Sequence, residues 1–223
     1  MCADKKHLAT DLSSDLANKA TNASTKMVVP MGGNRFSACL GSILLKISGW
    51  EFEGELPQHP KMVIAVAPHT SNWDFFLGVA VLFKLRIKIR FLGKHTIFVP
   101  IIKNLLFAIG GMPVDRSSKH GVVKQVCSEF DKQQKMILAL SPEGTRSIVF
   151  PWKTGFLAIA NTAQVPIALV GFDYAKKQIK FSEVIYTTGD FDHDMLHVYR
   201  FFKRLTAKYP DKVKYPDTIN HQD

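Results

Sequence analysis

The amino-acid sequence predicts an α/β fold, a sandwich of helices around a mostly parallel or mixed central sheet. From Lys61 onward, short apolar runs alternate with segments whose apolar residues recur at helical spacing. That order is expected of strands whose faces are covered by helices. Turn and capping residues follow two of the apolar runs directly, residues 68–72 after 62–67 and residues 141–145 after 136–140. Such residues mark the carboxyl end of a strand, where the chain passes into a loop or a helix. A length of 223 residues suits one domain, and 46% hydrophobic with 22% charged residues describes a packed globular chain rather than a disordered one.

Residues 1–30 are polar, rich in Ala, Ser, Thr, Lys and Asp, and read as a mobile tail ahead of a single domain over 31–223. Phe36, Leu40, Ile43, Leu44 and Ile47 share one helical face and predict an amphipathic helix over about 35–49, closed by Gly49. Its length, roughly 20 Å, falls short of a bilayer core of roughly 30 Å, so it either packs on the domain or lies in a membrane interface. Residues 62–67 predict a strand and 73–85 a helix. Over 84–91, Lys84, Arg86, Lys88 and Arg90 alternate with apolar residues, so the second half reads as a strand with one basic face. Residues 96–109 are very apolar and broken by Pro100. Helices follow at 121–133, 153–161 and 190–208, the last burying Met195, Val198, Phe202 and Leu205. Strands are expected at 136–141, 166–172 and 178–185. The stretch 154–172 is uncharged over a span-like length, but Asn161, Thr162, Gln164 and Pro166 interrupt it, which favours helix, turn and strand.

The net charge of +10 and a pI near 9.5 favour anionic partners: phospholipid headgroups, phosphorylated substrates, acidic carrier proteins or nucleic acid. Nucleic acid is disfavoured, because the basic residues lack interleaved stacking aromatics. Cys2, Cys39 and Cys127 have neither pairing nor ligand spacing, which indicates a reducing compartment. No secretory leader is expected at the N-terminus. The eight histidines show no ligand spacing, so no metal is expected. No Gly-x-Ser-x-Gly elbow supports a serine hydrolase.

Three short motifs carry chemistry. His69 follows a strand and precedes a helix that Ser71 or Asn72 can cap, with Asp74 in the first turn. A histidine beside a carboxylate is the minimal general-base pair, because the carboxylate fixes the tautomer and supports the imidazolium that forms. Ser141, Pro142, Glu143, Gly144, Thr145 and Arg146 form a turn after another strand, in which Gly144 admits an anion to backbone amides and Arg146 can grip a phosphate. Gly110, Gly111, Met112, Pro113, Val114, Asp115 and Arg116 supply a second arginine after a flexible turn. Taken singly, each is compatible with an ordinary capped loop or turn.

In this order the motifs resemble the glycerolipid acyltransferase family, typified by 1-acylglycerol-3-phosphate acyltransferases. The family's His-x4-Asp block is matched by His69 and Asp74, its Asp-Arg block by Gly110 through Arg116, its Pro-Glu-Gly-Thr-Arg-Ser block by Pro142 through Ser147, and its Val-Pro-Ile block by Val165, Pro166 and Ile167. Residues 153–156 resemble a further Lys-x-Gly-Phe feature. The resemblance implies a glycerol-3-phosphate acyltransferase-like fold and transfer of an acyl group from an acyl-CoA or acyl-carrier-protein thioester, with no other cofactor, to a glycerolipid hydroxyl. It implies His69 as base and Asp74 as its orienting carboxylate. Arg116 and Arg146 would bind phosphate, while Glu143, Gly144 and Thr145 would form the acceptor-site turn. Lys94 and Lys153 are further candidate cations, and Pro166 a structural or acyl-pocket position. The expected partners are the thioester donor, a lysophospholipid acceptor, an anionic membrane surface and an acyl-carrier protein, with no nucleic acid. The expected location is cytoplasmic, peripheral on the inner face of the membrane. Residues 97–109 would then either line an acyl tunnel, dip into lipid or form a core helix. Met112, Pro113 and Ser141 depart from the family's usual residues. This leaves the acceptor open, with another lysolipid or non-catalytic lipid binding as alternatives.

Overall fold

The computed structural model describes residues 28–94, 96, 98–101, 103–114 and 119–221. Seven strands form one sheet: β1 (Glu51–Glu53), β2 (Lys61–Val66), β3 (Arg90–Lys94), β4 (Gly111–Val114), β5 (Met136–Leu140), β6 (Ile167–Asp173) and β7 (Gln178–Phe181). Their order across the sheet is β1-β7-β6-β2-β5-β3-β4. All neighbouring pairs are parallel except the β6–β7 hairpin pair. The sheet is therefore mixed, with β2 at its centre between β5 and β6.

Alternation along β2 assigns the two faces. Met62 and Ile64 join Ile137, Ala168 and Val170 in a core shared with Leu45 of α1 (Arg35–Ser48) and Leu77, Ala80 and Val81 of α2 (Asn72–Leu85). Val63 and Ala65 face the other way with Leu138, Ile167 and Leu169. That second core is closed by Val126 and Phe130 of α4 (Lys119–Lys132), Phe156 and Leu157 of α5 (Gly155–Ala163), and Val198 and Phe202 of α6 (Phe191–Lys203). A short α3 (Lys103–Ala108) precedes β4. Both faces of the central strands are buried, as a covered sheet requires.

The amphipathic helix forms over nearly the predicted span, and Gly49 ends it in the left-handed conformation. Its orientation was left open by the sequence. The predicted stripe faces away from the domain, with Phe36 77% and Ile47 80% exposed, while Gly41 and Leu45 pack inward. Gly41 permits the close approach to α2, since a Cβ there would lie 2.5 Å from Lys84 N and 2.6 Å from Ala80 O.

Several sequence expectations need correction. Val29 is fully buried, and Pro30 accepts a hydrogen bond from Lys88 N at 2.9 Å, so the domain begins before residue 31. Residues 1–27 lie outside the described residues. The strand expected in the second half of 84–91 begins only at Arg90, as β3. Lys84 closes α2 with its ammonium 4.0 Å above the Phe52 ring, and Arg86 takes the left-handed cap that turns the chain. Alternating charge mimicked a strand where a helix end and a loop lie. Among the described residues of 97–109 no core helix forms: Ile101 is 92% exposed, and Phe107 and Ile109 are also exposed. Strands β1 and β4 had no expectation, being three and four residues long. The final helix stops at Lys203, and Leu205 is buried beyond its end.

A bulky residue at position 41 must separate α1 from α2, because the nearest atoms are backbone and cannot rotate away. Gly41→Val is expected to lose roughly 1–3 kcal/mol of stability. Chemical denaturation checks this, and a wild-type midpoint would contradict the close packing.

Candidate active site

Three adjacent strands, β5, β2 and β6, run parallel and deliver their carboxyl ends to one edge of the sheet. In open α/β sheets that edge is where sites gather. From β2 comes a loop with a cis Ala67–Pro68 peptide and then His69. From β5 comes the turn Ser141 to Arg146, and just past β6 comes Tyr174.

Ser71 caps α2, its hydroxyl accepting Trp73 N–H at 3.1 Å, and Asp74 completes a capping box by accepting Ser71 N–H at 2.8 Å on Oδ2. The same Oδ2 lies 3.4 Å from His69 Nδ1. Tyr174 donates its hydroxyl to the other oxygen, Oδ1. Both Asp74 oxygens are thus occupied, and its side chain is fully buried while that of His69 is 24% exposed. With Nδ1 turned to Asp74, Nε2 is the nitrogen left for a substrate.

Glu143 closes the arrangement from β5. Its Oε2 accepts His69 N–H at 2.7 Å and the Ser141 hydroxyl at 3.1 Å. The carboxylate is buried, so it braces the histidine loop from behind rather than facing an acceptor. Gly144 turns with φ +66°, and Thr145 Oγ1 accepts Ser147 N–H at 3.2 Å. A Cβ on Gly144 would stand 2.8 Å from Lys153 Nζ, which places that ammonium against the turn. Thr145 and Arg146 are exposed.

Two buried carboxyls therefore behave differently. Burial pushes Asp74 up, but hydrogen bonds from His69, Tyr174 and Ser71, with the charge of His69, outweigh it and hold Asp74 below the usual carboxylate value. Burial pushes Glu143 up more than His69 N–H and Ser141 draw it back, and the Asp74 charge adds to the rise. Burial together with Asp74 also raises Tyr174, keeping its hydroxyl protonated as a donor.

A cleft of about 280 Å³ opens at the loop that follows the histidine, walled by Thr70, Ser71, Asn72 and Trp73, by Arg146, and by Tyr209 and Lys212. The structure thus brings His69, Asp74, Glu143, Gly144, Thr145, Arg146 and Lys153 to one edge. Lys94 ends β3, two strands from β2. Pro166 is remote: it is buried at the start of β6, its carbonyl accepting Val63 N–H at 2.9 Å, at the opposite end of β2 from His69. It is structural there, because a proline at the head of a strand gives up no ladder donor. Arg116, with Asp115, lies outside the described residues.

Sequence reasoning missed Tyr174, Tyr209 and Lys212. Only position could have flagged Tyr174, which follows the last residue of a strand beside β2. Tyr209 and Lys212 approach from the far end of the chain, and no local pattern marks them.

Residues 50–172 match the Acyltransferase family. The chain belongs to that family. Its fold is similar to the crystal structure of PlsC, the 1-acyl-sn-glycerophosphate (LPA) acyltransferase of Thermotoga maritima, with a TM-score of 0.54 at 16% identity over 76% of each chain. No curated protein matches the chain by sequence. At that identity the likeness establishes the architecture, a mixed sheet flanked by helices. Tyr174, Tyr209 and Lys212 all lie beyond the matched residues.

The Asp74 value gives a pH prediction. A depressed carboxylate stabilises the fold above its unfolded value, about 3.9, and that contribution is lost as pH falls through the folded value. Asp74→Asn is therefore expected to be less stable than wild type at pH 7, with the gap narrowing towards pH 3. Urea midpoints at the two pH values test this, and an unchanged gap would contradict it.

Proposed function

We propose that the protein transfers a fatty acyl group from an acyl-CoA or acyl-carrier-protein thioester to the hydroxyl of a lysophospholipid such as 1-acylglycerol-3-phosphate. The supporting observation is the His69–Asp74 pair, held from three strand ends, with one ring nitrogen open and a cationic cleft at the loop that follows. A thioester is already activated, so no covalent enzyme intermediate is needed. The alcohol is the poor reactant. His69 Nε2 takes the hydroxyl proton as the oxygen attacks the thioester carbonyl, and the carbonyl–sulfur bond breaks as the intermediate collapses. The imidazolium returns the proton to the departing thiolate. Asp74 stabilises the transient imidazolium, and Tyr174 and Ser71 keep Asp74 charged for that task.

The lipid substrate calls for a membrane surface, and α1 supplies a fitting one. Phe36, Ile43 and Ile47 on α1 and Trp73 and Phe76 on α2 are exposed apolar residues, and α2 begins beside His69. Among the described residues no helix is long and apolar enough to cross a membrane. In this reading the protein lies peripherally on the inner, cytoplasmic face of an anionic membrane, its apolar stripe in the interface. Each nearby lysine or arginine adds about 1 kcal/mol to such attraction.

General-base catalysis contributes about 10²–10⁴ in rate, so His69→Ala is expected to lose that much turnover with labelled acyl-CoA and a lysolipid panel, while remaining folded by circular dichroism. Full activity in the variant would remove His69 from the mechanism. Vesicle sedimentation tests the surface: binding to anionic vesicles should exceed binding to neutral ones and weaken with salt. Equal, salt-insensitive binding to both would overturn the electrostatic attraction.

A further inference from the structure

We infer that residues 208–212, outside the stretch matched to the family, join Arg146 in a cationic clamp that holds a phosphate ester in the cleft at the loop that follows His69. Which substrate carries the phosphate rests on the acyl-transfer reading; the clamp itself does not.

The segment is anchored at both ends of the site. Tyr174 N–H donates to Thr206 O at 2.8 Å, and Tyr209 N–H donates to Thr70 Oγ1 at 3.3 Å, one residue from the proposed base. Between and beyond these anchors the ammonium groups rest on aromatic faces. Lys208 Nζ lies 4.9 Å from the Trp73 ring and 5.8 Å from the Tyr174 ring, and Lys212 Nζ lies 4.6 Å from the Tyr209 ring. An aromatic face orients a cation without neutralising it. No described ion pair involves Lys208, Lys212 or Arg146.

Two cations, Arg146 and Lys212, therefore face the cleft, Lys208 sits above its Trp73 wall, and none of the residues lining it is acidic. Like charges held around one volume favour an anion of more than one charge, and a guanidinium with an ammonium matches phosphate oxygens. The phosphate belongs either to the acceptor's headgroup or to the donor's nucleotide and pantetheine arm.

Equilibrium titration separates these without requiring turnover. The full-length protein is titrated with glycerol 3-phosphate against glycerol, and with coenzyme A against pantetheine. One phosphate-bearing probe should bind while its phosphate-free counterpart does not, and that probe identifies the source. Lys212→Ala should weaken its binding about tenfold, the usual worth of a charged hydrogen bond, and Lys212→Arg should restore most of it. The difference should shrink in high salt. Lys214→Ala, an exposed lysine outside the cleft, should bind as wild type, and His69→Ala should bind normally even though inactive. The clamp is overturned if a Lys208→Ala, Lys212→Ala double variant binds both phosphate probes like wild type, or if wild type binds phosphate-free probes equally well. Normal binding by a protein that shows no acyl transfer would leave the clamp standing and remove the reaction.

Discussion

The part-buried hydrogen bond from His69 N–H to Glu143 is the contact on which the site depends. It joins two loops 74 positions apart in sequence, and neither loop has a ladder partner of its own at that point. A hydrogen bond contributes about 0.5–1.5 kcal/mol net, and its loss would strand a part-buried donor and an acceptor together. That asymmetry makes the bond a register pin: the β5 turn and the β2 loop must meet in one relative position. The backbone of His69 is held by that meeting, and the contact of Nδ1 with Asp74 then orients its ring. Parallel pairing of β2 with β5 makes it geometrically available, since only parallel neighbours bring both carboxyl ends to the same edge.

The architecture was legible where periodicity was long and composition unambiguous. The strands β2, β5 and β6 and the helices α2, α4 and α5 lie close to their expected positions, because buried strands and capped amphipathic helices leave strong local patterns. The His69–Asp74 pair was legible for the same reason, as a capping box is a local motif. What failed was whatever depended on contacts distant in sequence. The basic alternation from Lys84 to Arg90 has the period of a strand, but the left-handed cap at Arg86 breaks it, and that cap is coupled to the N-terminal segment through Gly32 N–H bonding Arg86 O at 2.8 Å. Glu143 was expected in the acceptor-site turn alongside Thr145 and Arg146, which are exposed. Only the third dimension shows that it turns inward.

The helix α1 shows a different limit. Periodicity reveals that an apolar stripe exists but not which partner covers it. Here the domain takes the narrow side of α1, through Gly41 and Leu45, and leaves the wide apolar side uncovered. A helix built only to pack would do the reverse, since burying its large side chains contributes about 1.5–3 kcal/mol each. Gly41 admits the close approach and Leu45 alone is buried, while the larger part of the apolar stripe points outward. The exposed Trp73 and Phe76 on α2 extend that surface to the first turn after His69.

The opposite displacement of the two carboxyls completes the logic of the site. Asp74 and Glu143 are both buried and both touch the histidine, one at its ring and one at its backbone. Were both fully charged, their mutual repulsion would add to the cost of burying each. The environment divides them instead. Asp74 receives donors on both oxygens and is held below the usual carboxylate value, while burial, with the Asp74 charge contributing, raises Glu143 above it. The charged form is thereby favoured on the carboxylate that faces the imidazole and disfavoured on the one that holds its backbone. Separation of two neighbouring carboxyls by environment is a recurrent way of assigning them different work. Here it leaves Asp74 as the electrostatic partner and Glu143 as the brace.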